Sequence, residues 1–591
     1  MSKDTSSGVA TQFPPHVLRE YALIADGERG AMIGPRGDIA WMCAPQWHSE
    51  AVFASLIGGE GCYAVTPADS RFVWGGYYED GSLIWRSRWI TTSGEIECRE
   101  ALAYPGDPTT AVLLRRVEAV KAPARVRVLL DMRAGFGRHR MTGLHLGDGI
   151  WTGRTGPLRL RWSGAGQARE HGGRLELLLE LTPGEQHDLV LEASAQDLAR
   201  EPVPAEQAWE GTEAAWRATL PPASVSLAPR ASRHSYGVLA GLTSHGGGMV
   251  AAATMSLPER AEAGRNYDYR YVWIRDQCYT GQAVAADGPH RLLDDAVSFV
   301  AARLLDDGPQ LKPAYRVDGG PVPDEHPLPG LPGYPGSSPK TGNWVNQQFQ
   351  LDALGEALLL FAAAARHDHL DSWHWRAVEA AVAAIKARQG DPDAGVWELD
   401  DKRWAHSRLT CVAGLRAIAA AGAAGRRAGE CEALADALLA DAAHDCLHPA
   451  GRWQRAPGDE RVDAALLLPA IRGATSAGDS RALATLRAVR DDLVRDGYLY
   501  RFRHDQRPLH EAEGAFLLCG FIMALALQQQ GAEKQAVGWF ERNRAACGPP
   551  GLLTEEFDVI QRQLRGNTPQ AFVHALLFES AARLARPWQL P

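Results

Sequence analysis

The sequence predicts an antiparallel β-sandwich followed by a toroid of helical hairpins. From Ala22 to about Ser194, apolar and polar residues alternate in short runs such as Ala124–Leu130 (ARVRVLL) and Arg174–Thr182 (RLELLLELT). Gly-, Asp- and Pro-rich turns separate these runs, a pattern of many short strands. Beyond about Arg233 the apolar residues recur at three- and four-residue spacing nearly to the end, which is helical. The change falls near residue 220.

At about 150 residues per domain, 591 residues would suggest about four domains. The single change of pattern reduces this to two. We expect a β-sandwich over 1–200, a linker over 201–232 holding a helix at Ala205–Thr219, and a helical domain over 233–591. Expected helices in that domain are His290–Leu305, Asn346–Arg366, Ser372–Arg388, Arg408–Ala424, Ala428–His444, Val462–Arg472, Ser480–Asp496, Ala515–Gln530, Glu533–Ala546 and Thr568–Leu584. An even set of such helices suggests a ring with a funnel lined by its loops.

The net charge of −9 leaves no basic surplus for phosphate neutralisation, so no nucleic-acid partner is expected. The longest apolar stretches, Ala357–Ala365 and Leu517–Leu527, fall short of the roughly 20 residues that span a bilayer. Met1–Gln12 is polar, without the apolar core of a secretory leader. The nine cysteines are scattered, odd in number and lack a CxxC pair. They point to a reducing cytoplasm, with neither a disulfide framework nor a zinc site. Trp is unusually frequent, 18 against 14 Tyr and 14 Phe, which suits large cores or platforms for sugar rings.

Three segments concentrate polar and aromatic residues in place of periodicity, and each is read as a loop. Arg265–Thr280 (RNYDYRYVWIRDQCYT) sets Arg275 and Asp276 among aromatics, a pairing able to hold vicinal hydroxyls. In Asp393–Arg408, Glu398 directly follows Trp397; a carboxyl against an indole loses solvation of its charged form and retains its proton. Gly551–Asp558 (GLLTEEFD) offers Glu555 and Glu556, either of which could supply a base. Two carboxyls from distant loops, one protonated and one ionised, are the apparatus of glycoside hydrolysis, and inversion needs them about 6.5–9.5 Å apart.

Together these motifs resemble glycoside hydrolase family 15, the glucoamylase and bacterial trehalase family. Tyr21–Gly58 is similar to the N-terminal domain of its trehalase-like members. Arg265–Thr280, Leu331–Ser337 (LPGYPGS), Gln347–Glu356 (QQFQLDALGE), Gly395–Glu398 (GVWE), Tyr500–Arg503 with Glu513–Phe516 (EGAF), Leu553–Asp558 and Gly566–Phe572 (GNTPQAF) resemble its later segments in order. The resemblance implies an (α/α)6 barrel behind the sandwich and inverting hydrolysis at a terminal α-glucosyl unit of a short α-glucan or α-linked disaccharide. It implies Glu398 as general acid and Glu555 as general base. Substrate would be held by Arg275, Asp276, Arg501, Tyr267 and Glu556 and walled by Trp273, Trp344 and Trp397. No cofactor or metal is implied, since carboxyls perform the proton transfers. Homo-oligomerisation is left open.

The sequence also departs from the family pattern. Pro45–Glu50 (PQWHSE) replaces the commoner Pro-Arg-Phe-Asp-Ser-Pro, in a loop expected near the leaving-group side. Tyr267 replaces a Trp, Asp400 an Arg and Arg408 a Lys. Two other readings compete: a disaccharide phosphorylase of similar architecture, and a non-catalytic carbohydrate-binding protein. The Thr554–Glu555–Glu556 sequence would repel phosphate, and the presence of both carboxyls weighs against the second. Of the 18 Trp, only Trp41, Trp47, Trp273, Trp344, Trp397 and Trp404 fall in or beside these motifs, so at most a third are expected to face sugar.

Overall fold

The computed structural model describes residues 13–221, 225–260, 265–421, 428–505 and 507–589. The polar stretch Met1–Gln12 and the expected helix end at Ala424 lie outside them.

Two eight-stranded antiparallel sheets form the N-terminal sandwich. The first runs, in spatial order, through Ala22–Ala25, Gly30–Ile33, Asp38–Cys43, Cys62–Pro67, Ala124–Asp131, Arg174–Leu181 and Arg169–His171, with Ala51–Phe53 beside Asp38–Cys43. The second runs through Met141–Gly147, Ile150–Thr155, Leu158–Ser163, Gln186–Ser194, Thr110–Ala119, Glu95–Leu102, Trp85–Thr91 and Phe72–Tyr78. Arg174–Leu181 shows clean alternation of buried and exposed residues, since one face meets solvent.

Ala22–Ala25, Gly30–Ile33 and Asp38–Cys43 are buried throughout. Successive side chains of a strand point to opposite faces. Ala22, Ile24, Ala31, Ile33, Ile39 and Met42 enter the core between the sheets. Leu23, Ala25, Met32, Trp41 and Cys43 enter a second core shared with the helical domain. The first sheet is therefore sandwiched between its partner sheet and the helices.

Helix α1 (Ala205–Thr219) spans the residues expected and buries Trp209, Thr212 and Trp216 on one stripe. Trp216 stacks on Tyr104 with ring centroids 4.0 Å apart. Eleven longer helices follow among the described residues: α2 (Pro229–Leu242), α3 (Ile274–Ala285), α4 (Arg291–Asp307), α5 (Leu351–Ala365), α6 (Ser372–Arg388), α7 (Ala405–Ala420), α8 (Ala428–Cys446), α9 (Ser480–Leu493), α10 (Leu517–Gln529), α11 (Glu533–Arg544) and α12 (Ala571–Leu584). An inner ring closes through α3, α5, α7, the short turns at Ala464–Ile471, α10, α12 and back to α3. Helices α2, α4, α6, α8, α9 and α11 alternate with these along the chain and complete six pairs, the (α/α)6 barrel.

The inner helices are buried on nearly all sides. Every residue of α5 from Leu351 to Ala364 and of α10 from Leu517 to Gln528 is buried. A helix with no polar face is buried.

Three expectations need correction. Arg265–Thr280 is not a loop throughout: α3 begins at Ile274, so Arg275 and Asp276 lie in a helical first turn. Its internal polar residues hid the periodicity. Val462–Arg472 is two short turns, with Pro469 at the start of the second, where a ring nitrogen cannot continue a helical hydrogen-bond ladder. Ser480–Asp496 ends at Leu493, where Val494–Arg495 pairs with Tyr498–Leu499.

Candidate active site

Residues at the N-terminal ends of the inner helices, and in the loops before them, line a cavity of about 540 Å³. Trp273 and Arg275 come from the start of α3, Trp404 precedes α7, Phe516 precedes α10, and Gln570 and Phe572 open α12.

Glu398 is presented by a tightly closed loop. Asp393 and Lys402 exchange backbone hydrogen bonds across its base, at 2.9 and 3.0 Å. The Asp393 carboxylate accepts from the Gly395 N–H at 2.8 Å and from the Ser407 hydroxyl at 2.8 Å. Gly395 has φ +67°, and a Cβ there would lie 2.8 Å from the Trp404 indole. Glu398 itself has φ +55°, a costly conformation for a side chain with a Cβ and one that clusters at functional sites.

The Trp273 indole N–H donates to Glu398 Oε1 at 2.7 Å. Arg275 lies 3.7 Å from the same oxygen and donates to the Val396 carbonyl at 2.6 Å. Burial pushes the Glu398 carboxyl up; the Arg275 charge and the Trp273 bond pull it down without cancelling the burial. Asp276 is fully buried behind Arg275, with Oδ2 3.0 Å from its Nε and 2.9 Å from an Nη.

Glu555 occupies the other side of the cavity, next to a small sheet of Ala515–Phe516, Glu556–Asp558 and Gln563–Arg565. Its carbonyl accepts from the Leu517 N–H at 3.1 Å. The Tyr269 hydroxyl donates toward its Oε2 at 3.4 Å. Burial raises Glu555 well above the usual carboxylate range, and neighbouring Glu259 raises it further. Successive residues of an extended chain face opposite ways. Accordingly, Glu556 does not line the cavity: it accepts from the Gly514 N–H at 2.8 Å and lies 3.5 Å from Arg501.

Eight of the ten sequence-derived site residues thus line one cavity: Tyr267, Trp273, Arg275, Trp344, Trp397, Glu398, Arg501 and Glu555. Asp276 and Glu556 stand behind it. Arg501 is held by Glu513 at 2.6 Å and lies over the Phe516 ring at 4.6 Å. The Trp397 indole donates to Asp463 at 2.7 Å. Trp344 is 57% exposed at the rim, where an apolar surface is available for stacking.

The Pro45–Glu50 loop does not line the cavity. Its Trp47 and Ser49 carbonyls accept from buried Arg270, at 3.3 and 2.6 Å. Arg270 in turn grips Asp268 at 2.9 and 2.7 Å. The loop therefore braces the segment that carries Tyr269 and Trp273. Trp41 and Trp47 are core residues, whereas Trp404 joins Trp273, Trp344 and Trp397 on the wall. Arg408 is buried and pairs with Asp441 and Asp445 at 3.0 and 3.2 Å.

Sequence reasoning missed Tyr269 and Glu259. Tyr269 lies in a quoted motif, and its two-residue offset from Tyr267 places both on one face; their rings stack 6.2 Å apart. Glu259 carried no local signal. Among the described residues no group of three or more His, Cys, Asp or Glu is placed to hold a metal ion.

Known proteins resemble this chain over most of its length. A trehalase from Mycolicibacterium smegmatis is 28% identical over 622 residues, covering 97% of this chain and 92% of that protein. A trehalase from Mycobacterium tuberculosis is 27% identical over 639 residues, covering 99% and 92%. A bacterial glucoamylase solved with acarbose matches with a TM-score of 0.68 over 96% of this chain and 95% of that one, at 14% identity, a likeness of fold. The trehalase-like N-terminal family model matches residues 12–216, and the model for glycosyl hydrolases family 15 matches residues 237–582. The chain belongs to glycosyl hydrolases family 15 and is a glycosidase.

Proposed function

We propose that the chain is an inverting, exo-acting α-glucosidase whose substrate is trehalose. The observation carrying the reaction is the pair of carboxyls on one cavity, Glu398 oriented by Trp273 and Glu555 by Tyr269. Similarity to trehalases over nearly the whole chain supports the substrate.

In this reading Glu398 donates its proton to the glycosidic oxygen as the bond to C1 breaks. Glu555 takes a proton from water on the opposite face, and that water attacks C1. Burial raises Glu398 above the ordinary carboxylate range, the direction a general acid requires. Arg275, fixed by Asp276, and Arg501, fixed by Glu513, grip hydroxyls of the terminal glucose. The Trp273 and Trp397 indoles wall that ring, and Trp344 stacks on the leaving sugar. Glu555 begins to lose its proton above the ordinary carboxylate range, so the acidic limb of the pH–rate profile lies correspondingly high.

The test is glucose release from trehalose, kojibiose, nigerose, maltose and isomaltose, followed by NMR. Trehalose is expected to be cleaved best. Inversion at one of its two α-anomeric carbons gives equal amounts of α- and β-glucose within minutes. Initial α-glucose alone would rule out inversion. Dependence on added phosphate, with a sugar phosphate as product, would replace hydrolysis by phosphorolysis.

A further inference from the structure

Three cavity carboxyls have no task in the reaction proposed above, Glu259, Asp400 and Asp505, and of these Glu259 alone is buried. Glu259 is 4% exposed and its Oε2 has no hydrogen-bond partner. Two backbone bonds fix it in place: its N–H donates to the Arg265 carbonyl at 2.9 Å, and the Gly566 N–H donates to the Pro258 carbonyl at 2.8 Å. Gly566 has φ +83°, and a Cβ there would sit 3.6 Å from Glu555 Cβ and 3.8 Å from Glu259 Cγ. The absent side chain leaves the two acids facing each other.

Between them stands Tyr269. Its hydroxyl lies 3.3 Å from Glu259 Oε1 and 3.4 Å from Glu555 Oε2. A phenol has one proton to donate, so it serves one carboxylate at a time. We infer that Glu259 is a positioning residue for the general base: it competes for the Tyr269 proton and so leaves Glu555 free to accept the proton of the attacking water. The inference rests on the assignment of Glu555 as base.

The surrounding charge favours this role. Acids facing the pair are Glu398, Glu513 and Glu556. The bases are Arg265, Arg275 and Arg501, with His504 on Glu513. Arg275 and Arg501 are already committed to Asp276 and Glu513. Arg265 stands 3.6 Å from Glu259 and 3.8 Å from Glu513. Negative charge is in excess around Glu555, and Glu259 is its largest coulombic source there.

Glu259→Gln tests the inference through the pH profile of trehalose hydrolysis. Losing the charge weakens the hold of Glu555 on a proton, and so does a Tyr269 freed to donate to Glu555 alone. The acidic limb is therefore expected to move down by about one pH unit. Plateau kcat should fall by about tenfold because the base is weaker, with KM within about twofold. Tyr269→Phe removes the donor to Glu555 and moves the limb the opposite way. A limb in Glu259→Gln that stays within about 0.2 units, or moves up, overturns the inference. Glu259→Asp, which keeps the charge at shorter reach, serves if the amide variant does not fold. Its kcat falls at unchanged KM, and a kcat equal to the parent's overturns the inference equally. Glu555→Gln is assayed in parallel. If it retains activity, the assignment of the base fails; if it is inactive and the Glu259→Gln limb is unmoved, only this inference fails.

Discussion

Glu398→Gln is expected to lower kcat on trehalose by about 10²–10⁴-fold while the fold is retained. The amide occupies the same volume and can still meet the Trp273 indole N–H, which now donates to Glu398 at 2.7 Å. It has no proton to give the leaving oxygen. A substrate whose leaving group needs no proton separates this role from a merely structural one. On α-glucosyl fluoride the Glu398→Gln variant should recover most of the lost rate. Glu555→Gln should remain equally impaired on both substrates, because water must be deprotonated in either case. Equal losses on trehalose and fluoride for Glu398→Gln would remove its role as acid. Near-parent activity in either variant would remove that residue's role.

Arg472→Ala should produce the largest loss of stability. Arg472 and Glu579 form a doubly bonded pair with side chains 1% and 0% exposed, one contact at 2.7 Å. The pair joins the end of the short inner turns to α12. Arg583 also reaches Glu579, at 2.7 Å. Removing one partner of a buried pair strands the other charge, at about 3–5 kcal/mol. Denaturant unfolding at neutral pH measures the loss, and a change below about 1 kcal/mol would show that Arg583 alone satisfies Glu579. The same pair has a pH signature. The two arginines hold Glu579 down at about 2, from an ordinary 4.5. A depressed acid stabilises the fold above its unfolded value, and that contribution is lost as pH falls through its folded one. Parent stability should therefore decline between about pH 4.5 and 2, and less steeply in Arg472→Ala.

Helices are legible in the sequence where an apolar pattern runs without polar interruption. Helix α6 matches its expected span of Ser372–Arg388, because one face meets solvent and the Asp371 side chain caps its first turn at 2.8 and 3.0 Å. Helix α3 reads as loop because Arg275, Asp276, Gln277 and Gln282 interrupt its apolar residues, whereas α5 and α10, equally buried, are apolar enough to read as helices. The site divides similarly. Glu398 and Glu555 were visible because each sits in a compact motif. Asp276 and Glu556 were drawn in by adjacency to true cavity residues, and only three-dimensional direction separates them. Glu259 lies on a different segment from Glu555 and meets it across Gly566 and through Tyr269, a relation no one-dimensional pattern contains. The four cavity tryptophans are fewer than the six that motif position suggested, since Trp41 and Trp47 serve the shared core.

The strands buried on both faces carry a consequence for tolerance to insertion. In Arg174–Leu181 a slip by one residue would misplace a single apolar set. In Ala22–Ala25, Gly30–Ile33 and Asp38–Cys43 the two faces present different apolar sets to two different cores, so a slip exchanges both sets at once. One added residue there would unseat Trp41 from the Ala253 carbonyl, to which it donates at 2.9 Å, and Ile39 from the interior of the sandwich. The spacing of these strands is thus specified twice, once by each half of the protein. Lineages of this chain should vary in length at the turns of the outer sheet long before they vary here.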